Sequence, residues 1–256
     1  MNAILRGLVR TVSETFTLPG PILEIGSYQV TGQEGVADLR TLFPGRTYQG
    51  VDIRPGRGVD LLANVEELPY AAGSIGTILA ISTLEHVPHF WRAFDEMHRV
   101  LRPDGALLVA CPFYFHRHAH PNDYWRFTPE ALEMLLAPYP SKIVGYHGPP
   151  ARPANVWGLA FREDRPSISA EEYNLYQTRL HHHARMPLPL TRYLRLQLGR
   201  FLFGSGHFAP YLQREHLGNK CLNQAVEPPR SHAEHGNEGV EIRKEERKER
   251  HVHIAA

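Results

Sequence analysis

Cysteine is nearly absent: the 256 residues hold only Cys111 and Cys221, far apart. That excludes a disulfide framework and fits a reducing compartment. Long apolar runs are also missing. None approaches the ~20 residues that a bilayer-spanning helix requires, so no membrane-spanning helix is expected. Neither sign of charge is in excess. The 28 Lys and Arg offset 27 Asp and Glu, leaving +1, and no global basic field marks a nucleic-acid partner. The N-terminal stretch has arginines but no sustained apolar core and no small-residue cleavage site, so a signal peptide is not expected and a cytoplasmic location is. Internal repeats are absent. The last shortage is local. "PILEIGSYQVTG" (21–32) opens like a strand entering a nucleotide-binding turn, but Tyr28 and Val30 stand where a G-x-G-x-x-G fingerprint would carry glycines.

What is present alternates. "PILEIG", "TYQGVDI", "GVDLLAN", "GSIGTILAIS" and "GALLVACP" read as strands, and "SKIVGYHG" and "NVWGLAFR" as two more. Helical spacing marks the N-terminus (Ile4, Leu5, Leu8, Val9, Val12), "GVADLRTLF" and "HFWRAFDEMHRVL". Thr128 and Pro129 open a further helix as N-cap and first residue. Strands alternating with helices predict an α/β fold, a Rossmann-like doubly wound and mostly parallel sheet, over 1–161. Residues 162–225 read as a helical extension or cap with helices near 169–183 and 189–203. Residues 226–256 are polar and mixed in charge, and read as a disordered tail.

In a doubly wound sheet the ligand lies beyond the carboxyl ends of the strands. Glu24 stands there, two residues before Gly26, with helix capping as its bland role. Asp52 ends the second strand. A carboxylate offers only acceptors, which suits the two ribose hydroxyls of an adenosine, with a solvated turn as the alternative. In "ANVEELPY" (63–70) the short polar Asn64 can meet an adenine amino group while Val65 packs on the ring, or Asn64 can simply form a turn.

"LEIG" (23–26), "GVDI" (50–53), "ANVEELPY" (63–70), "ISTLEHV" (81–87) and "RVLRPDGALLVACP" (99–112) together resemble the class I S-adenosylmethionine-dependent methyltransferases of the type 11-like kind, over about residues 20–140. The resemblance implies S-adenosyl-L-methionine as cofactor. Its binding residues would be Glu24, Gly26, Ser27, Asp52, Ile53, Asn64 and Val65, with Asn64 where the family commonly has Asp. S-adenosylmethionine has no pyrophosphate, so the later glycines have less to do. Tyr28 and Val30 still depart from the family's E-x-G-x-G-x-G, and Tyr28 could crowd the cofactor.

After the fifth strand comes "FYFHRHAHPNDYWRFTP" (113–129). His116, His118 and His120 alternate and would share a face of an extended segment, a geometry open to zinc. Metal ligands normally come from more than one element, so a substrate-binding loop is preferred and no metal is expected. "HPNDYWRFTP" resembles a segment in a subgroup of these methyltransferases often associated with glycan biosynthesis, which implies a small-molecule or glycan acceptor. Trp125 and Arg126 are the candidate acceptor contacts, against a core anchor and an internal ion pair. An oxygen acceptor benefits from a base. His86 in "LEHV" is the first candidate, with His120, Asp123 and Tyr124 as competitors.

The stretch 185–205 mixes Arg185, Arg192, Arg195 and Arg200 with leucines and aromatics. A helical cap is preferred over weak contact with an anionic membrane surface. Two rivals remain for the whole chain: a non-catalytic methyltransferase-like binding module, and an NAD-dependent oxidoreductase or epimerase. Against the second stand the missing dinucleotide glycines and the lack of a Tyr-x-x-x-Lys pair.

Overall fold

The computed structural model describes residues 1–118, 122–184, 190–203 and 217–223. His120 and the sequence-predicted tail 226–256 lie outside them. Eight strands form one sheet: β1 (Ile22–Ile25), β2 (Tyr48–Asp52), β3 (Leu61–Leu62), β4 (Ile75–Ile81), β5 (Leu101–Pro112), β6 (Ser141–His147), β7 (Asn155–Phe161) and β8 (Leu217–Asn223). Their order is β3-β2-β1-β4-β5-β7-β6-β8. β1 pairs in parallel with both β2 and β4, and β4 with β5. β7 runs antiparallel between β5 and β6. The chain therefore winds outward from β1 in both directions, and the order reverses between β1 and β4.

Helices cover both faces. On one lie α3 (Phe90–Val100) and α4 (Pro129–Leu135), whose Phe94, Met97 and Leu132 join a core with Leu23, Ile78, Leu107 and Val109. On the other lie α1 (Ala3–Thr15) and α5 (Ala170–His183), which bury Leu8, Val12, Tyr176 and Leu180 against Leu79, Leu108, Trp157 and Phe161. The strand residues of these two sets alternate along β4 and β5, as a sheet buried on both sides demands. α4 starts as its sequence predicts, the Thr128 side chain accepting from the Ala131 N–H at 3.1 Å. α5 begins with a reciprocal capping box between Ser169 and Glu172. Its far end crosses α1 closely: a Cβ on Gly7 would come within 2.3 Å of the His183 carbonyl oxygen. The His181–His183 run thus ends a packed helix, and His183 Nε2 meets Glu14 Oε2 at 2.7 Å.

Two elements differ from the sequence reading. "GVADLRTLF" forms only a four-residue helix, α2 (Glu34–Ala37), and a 3-10 turn at Arg40–Leu42. Buried Leu39 and Phe43 flank that turn and plug the core. Glycine and β-branched valine give so short a segment little helical stability of its own. The strand β8 was not anticipated, because "LGNKCLN" has no apolar alternation. It is held by antiparallel pairing to β6. The last described helix, α6 (Leu190–Phe203), leaves Leu190, Leu194, Leu198, Phe201 and Leu202 exposed. Among the described residues no helix is long and apolar enough to cross a membrane.

α5 is held through its buried face rather than its cap alone. Leu180→Ala should destabilise the protein by about 2–5 kcal/mol in chemical denaturation. Leu175→Ala, at a 41% exposed position of the same helix, should stay within about 0.5 kcal/mol.

Candidate functional site

A cleft of about 510 Å³ opens at the carboxyl ends of β1, β2 and β4. Glu24, Gly26, Ser27, Asp52, Ile53, Asn64 and Val65 all line it, as do Tyr28, Thr83, His86, His116 and His118. The floor is set by a close approach between strand tips. Gly26 has φ +77°, and a Cβ there would fall 2.1 Å from Thr83 Oγ1. The Thr83 hydroxyl donates to the Ile25 carbonyl at 2.9 Å. Next to it Ser82 holds φ 54°, the positive-φ non-glycine residue of the described chain, a strained conformation of the kind that gathers at functional sites.

The two acids of the cleft are positioned differently. Glu24 is buried, and Tyr48 donates its hydroxyl to Oε2 at 2.7 Å. Burial pushes its carboxyl up to about 7, with the Tyr48 hydrogen bond pulling the other way. Asp52 is held by backbone donors, Tyr28 N–H at 3.3 Å on Oδ2 and Arg54 N–H at 3.0 Å on Oδ1. Tyr28 does not turn back over Gly26. Its ring packs against Gly56, where an added Cβ would meet it at 2.3 Å, and the Arg54 guanidinium lies 4.5 Å from the ring centroid. Asn64 accepts from the Glu66 N–H at 3.0 Å, Val65 is buried, and Ile53 is 58% exposed at the rim.

These residues fit an adenosyl-methionine ligand. Ser27, which lines the cleft, has a buried Oγ without a hydrogen-bond partner among the described residues. Buried polar atoms of that kind ask for one.

The other end of the cleft is built from the 3-10 turn Leu84–His86 and residues 113–118 and 122–128. The Glu85 carbonyl accepts from both Tyr124 N–H (2.8 Å) and Trp125 N–H (3.2 Å). His86 Nδ1 bonds the Asn122 carbonyl. The His86 and His118 rings meet edge to face with centroids 4.9 Å apart. Glu85 is fully buried, and burial pushes its carboxyl up to about 8. Cys111, also fully buried, is pushed up by the same desolvation and by Glu85 beside it.

The remaining candidates lie around this end. Asp123 is committed to Arg126, whose Nη2 donates to Oδ2 at 2.7 Å, and also accepts from the His118 N–H at 2.9 Å. The Arg126 guanidinium holds the Asp123 carboxyl well below the usual carboxylate range, which leaves it a weak proton acceptor. Trp125 donates its indole N–H to the Val87 carbonyl at 2.9 Å and packs on Phe90 with centroids 5.1 Å apart. Tyr124 is 47% exposed, and its hydroxyl accepts from Asn122 Nδ2 at 2.9 Å. Glu85, Thr83 and Tyr48 were not singled out in the sequence. Only adjacency to His86 pointed at Glu85, and nothing local pointed at Tyr48.

Residues 34–109 match the family described as methyltransferase domain. A protein of Mycobacterium sp. (strain KMS) described as an uncharacterized methyltransferase is 42% identical over 48 residues, 19% of each chain. The match thus spans about a fifth of the length of that curated relative. A structure of an S-adenosylmethionine-dependent methyltransferase from Archaeoglobus fulgidus shares the fold at TM-score 0.50 and 12% identity, covering 62% of this chain and 93% of its own. That of Burkholderia thailandensis 1,6-didemethyltoxoflavin-N1-methyltransferase, with bound 1,6-didemethyltoxoflavin and S-adenosylhomocysteine, aligns at TM-score 0.48 and 20% identity, covering 63% and 79%. The matched segment runs from α2, after β1, into β5, so it contains β4 on one side of the reversal point, and the fold is the one shared with the Archaeoglobus structure.

Proposed function

We propose that the protein transfers a methyl group from S-adenosylmethionine to an oxygen or nitrogen of a small-molecule or glycan acceptor. The observation that carries this reading is one continuous cleft. It joins a nucleoside-binding end (Asp52, Asn64, Val65) to a histidine-lined end (His86, His118) across the strained Ser82–Thr83 tip. When bound, the cofactor supplies a methyl group already activated on a sulfonium, so the protein mainly has to align the acceptor. Asp52 offers its carboxylate to the ribose hydroxyls. Glu24 and Ser27 border the Gly26 turn, where the methionine part would lie. His86 donates from Nδ1 to the Asn122 carbonyl, the tautomer in which Nε2 is the basic nitrogen for an acceptor's proton.

Tyr28 lying on Gly56 supports an open site over a non-catalytic module whose cofactor space is closed. It also occupies the turn where a dinucleotide site needs bare backbone, which disfavours an NAD-dependent oxidoreductase. A glycan acceptor rests on "DYWRFTP" alone, in which Trp125 and Arg126 already have partners within the chain.

Calorimetry with the full chain should give S-adenosylmethionine binding that Asp52→Ala weakens about 10–100-fold, the loss of charge-assisted hydrogen bonds. NAD should not compete. Absence of binding by the folded protein would return the non-catalytic module to the lead.

Glu24 gives the binding a pH signature. Its carboxyl is raised in the folded protein, so its neutral form favours folding. Stability should be greatest near or below pH 4.5 and fall as pH rises through about 7, by at most about 3 kcal/mol. A cationic ligand beside Glu24 prefers the carboxylate, so affinity should rise over the same window. Glu24→Gln should flatten both curves, read as denaturation midpoints and calorimetric Kd at several pH values.

His86→Ala should slow methyl transfer about 100–10,000-fold while leaving S-adenosylmethionine affinity nearly unchanged. Equal turnover by the variant would remove His86 from the chemistry.

A further inference from the structure

The acceptor end contains a group that proton transfer by His86 alone does not explain. Glu85 is fully buried, with the Cys111 thiol beside it. Burial opposes the charged form of Glu85, while the Met1 ammonium and the Arg126 guanidinium favour it. Its Oε1 lies 3.8 Å from His86 Nε2. One donor atom each from Glu85, His86 and His118 lie within 4.8 Å of one another.

From this geometry we infer that Glu85, His86 and His118 form a binding site for a divalent transition-metal ion, of which Zn²⁺ is the best match. Two imidazoles and one carboxylate are a donor set such ions take, at bond lengths of about 2.0–2.2 Å. An ion between His86 Nε2 and Glu85 Oε1 would sit comfortably across a 3.8 Å gap, and small side-chain rotations bring in His118. The ligands come from two places, Glu85 and His86 from the 84–86 turn and His118 from the stretch after β5, whereas the alternating His116, His118 and His120 would come from one. His86 and His118 each have an oxygen neighbour at Nδ1. His86 donates from Nδ1 to the Asn122 carbonyl, fixing the tautomer that presents Nε2, and Asp123 Oδ2 lies 3.2 Å from His118 Nδ1. Partners of this kind orient metal-binding histidines. Tyr124 and Trp125, donating to the Glu85 carbonyl, tie the two elements together.

Three protein ligands leave a coordination position open, and His86 and His118 both line the cleft. There the ion would hold the acceptor atom and, for an oxygen acceptor, lower its pKa, replacing His86 as the activating group. This role rests on the methyl-transfer reading; the binding of the ion does not.

The test uses the full chain, stripped by chelator and dialysed. Zn²⁺ is titrated by calorimetry and Co²⁺ by visible absorbance, with fold checked by circular dichroism. The chain has 16 histidines, so the difference between proteins is read, not total uptake. Wild type should bind one equivalent at least ~10-fold more tightly than Glu85→Gln or His118→Ala, since losing a ligand costs at least as much as losing a supporting partner. His116→Ala should match wild type. Equal tight binding in Glu85→Gln and His118→Ala overturns the site, as does loss in His116→Ala with retention in Glu85→Gln. If a ligand variant does not fold, thermal unfolding decides: saturating Zn²⁺ should raise the Tm of wild type and His116→Ala alike, and no shift overturns the proposal. S-adenosylmethionine titrated into the metal-free protein separates the two readings. Failure there removes the methyl-transfer reading and leaves the zinc result standing.

Discussion

The site depends on how closely the tips of β1 and β4 approach. Gly26 lies so near Thr83 that no side chain fits between them, and the Thr83 hydroxyl bonds the last carbonyl of β1. These two strands flank the point where the sheet order reverses. Drawing their tips together sets the cleft floor, and the strain at Ser82 is the local cost. Asp52 enters from β2 on one side and His86 from the turn after β4 on the other. Each is positioned because its own strand pairs with β1 in register.

A second constraint organises the far end. The Glu85 carbonyl accepts two backbone hydrogen bonds from the Tyr124–Trp125 segment. A distant loop is thereby fixed to the 84–86 turn, and His118 is brought against His86. The "DYWRF" residues work largely inward. Asp123 and Arg126 neutralise each other, and Trp125 is spent on Phe90 and the Val87 carbonyl. At this end His86, His116, His118 and Phe115 line the cleft, and Trp125 and Arg126 do not.

Much of this was legible in the sequence because it is local or periodic. The strand tips with Glu24 and Asp52, the Thr128 cap and the apolar face of α1 follow from patterns of a few residues. β8 was not legible, since an edge strand without alternation is decided by the partner it finds. Nor was the shortness of α2, where Leu39 and Phe43 plug the core and override a weak helical spacing. Tyr28 also needed the structure: its effect depends on Gly56, across the cleft mouth.

The sequence by itself determined the fold class and the acids at the strand ends, because hydrophobic period and turn chemistry act over neighbouring residues. It also put Glu85 and His86 side by side. Only the tertiary structure decided that His118 joins them, that Arg126 is already paired, and that Glu85 is fully buried. Those outcomes depend on contacts between segments far apart in the chain and on desolvation. Both exist only once the sheet has closed over them.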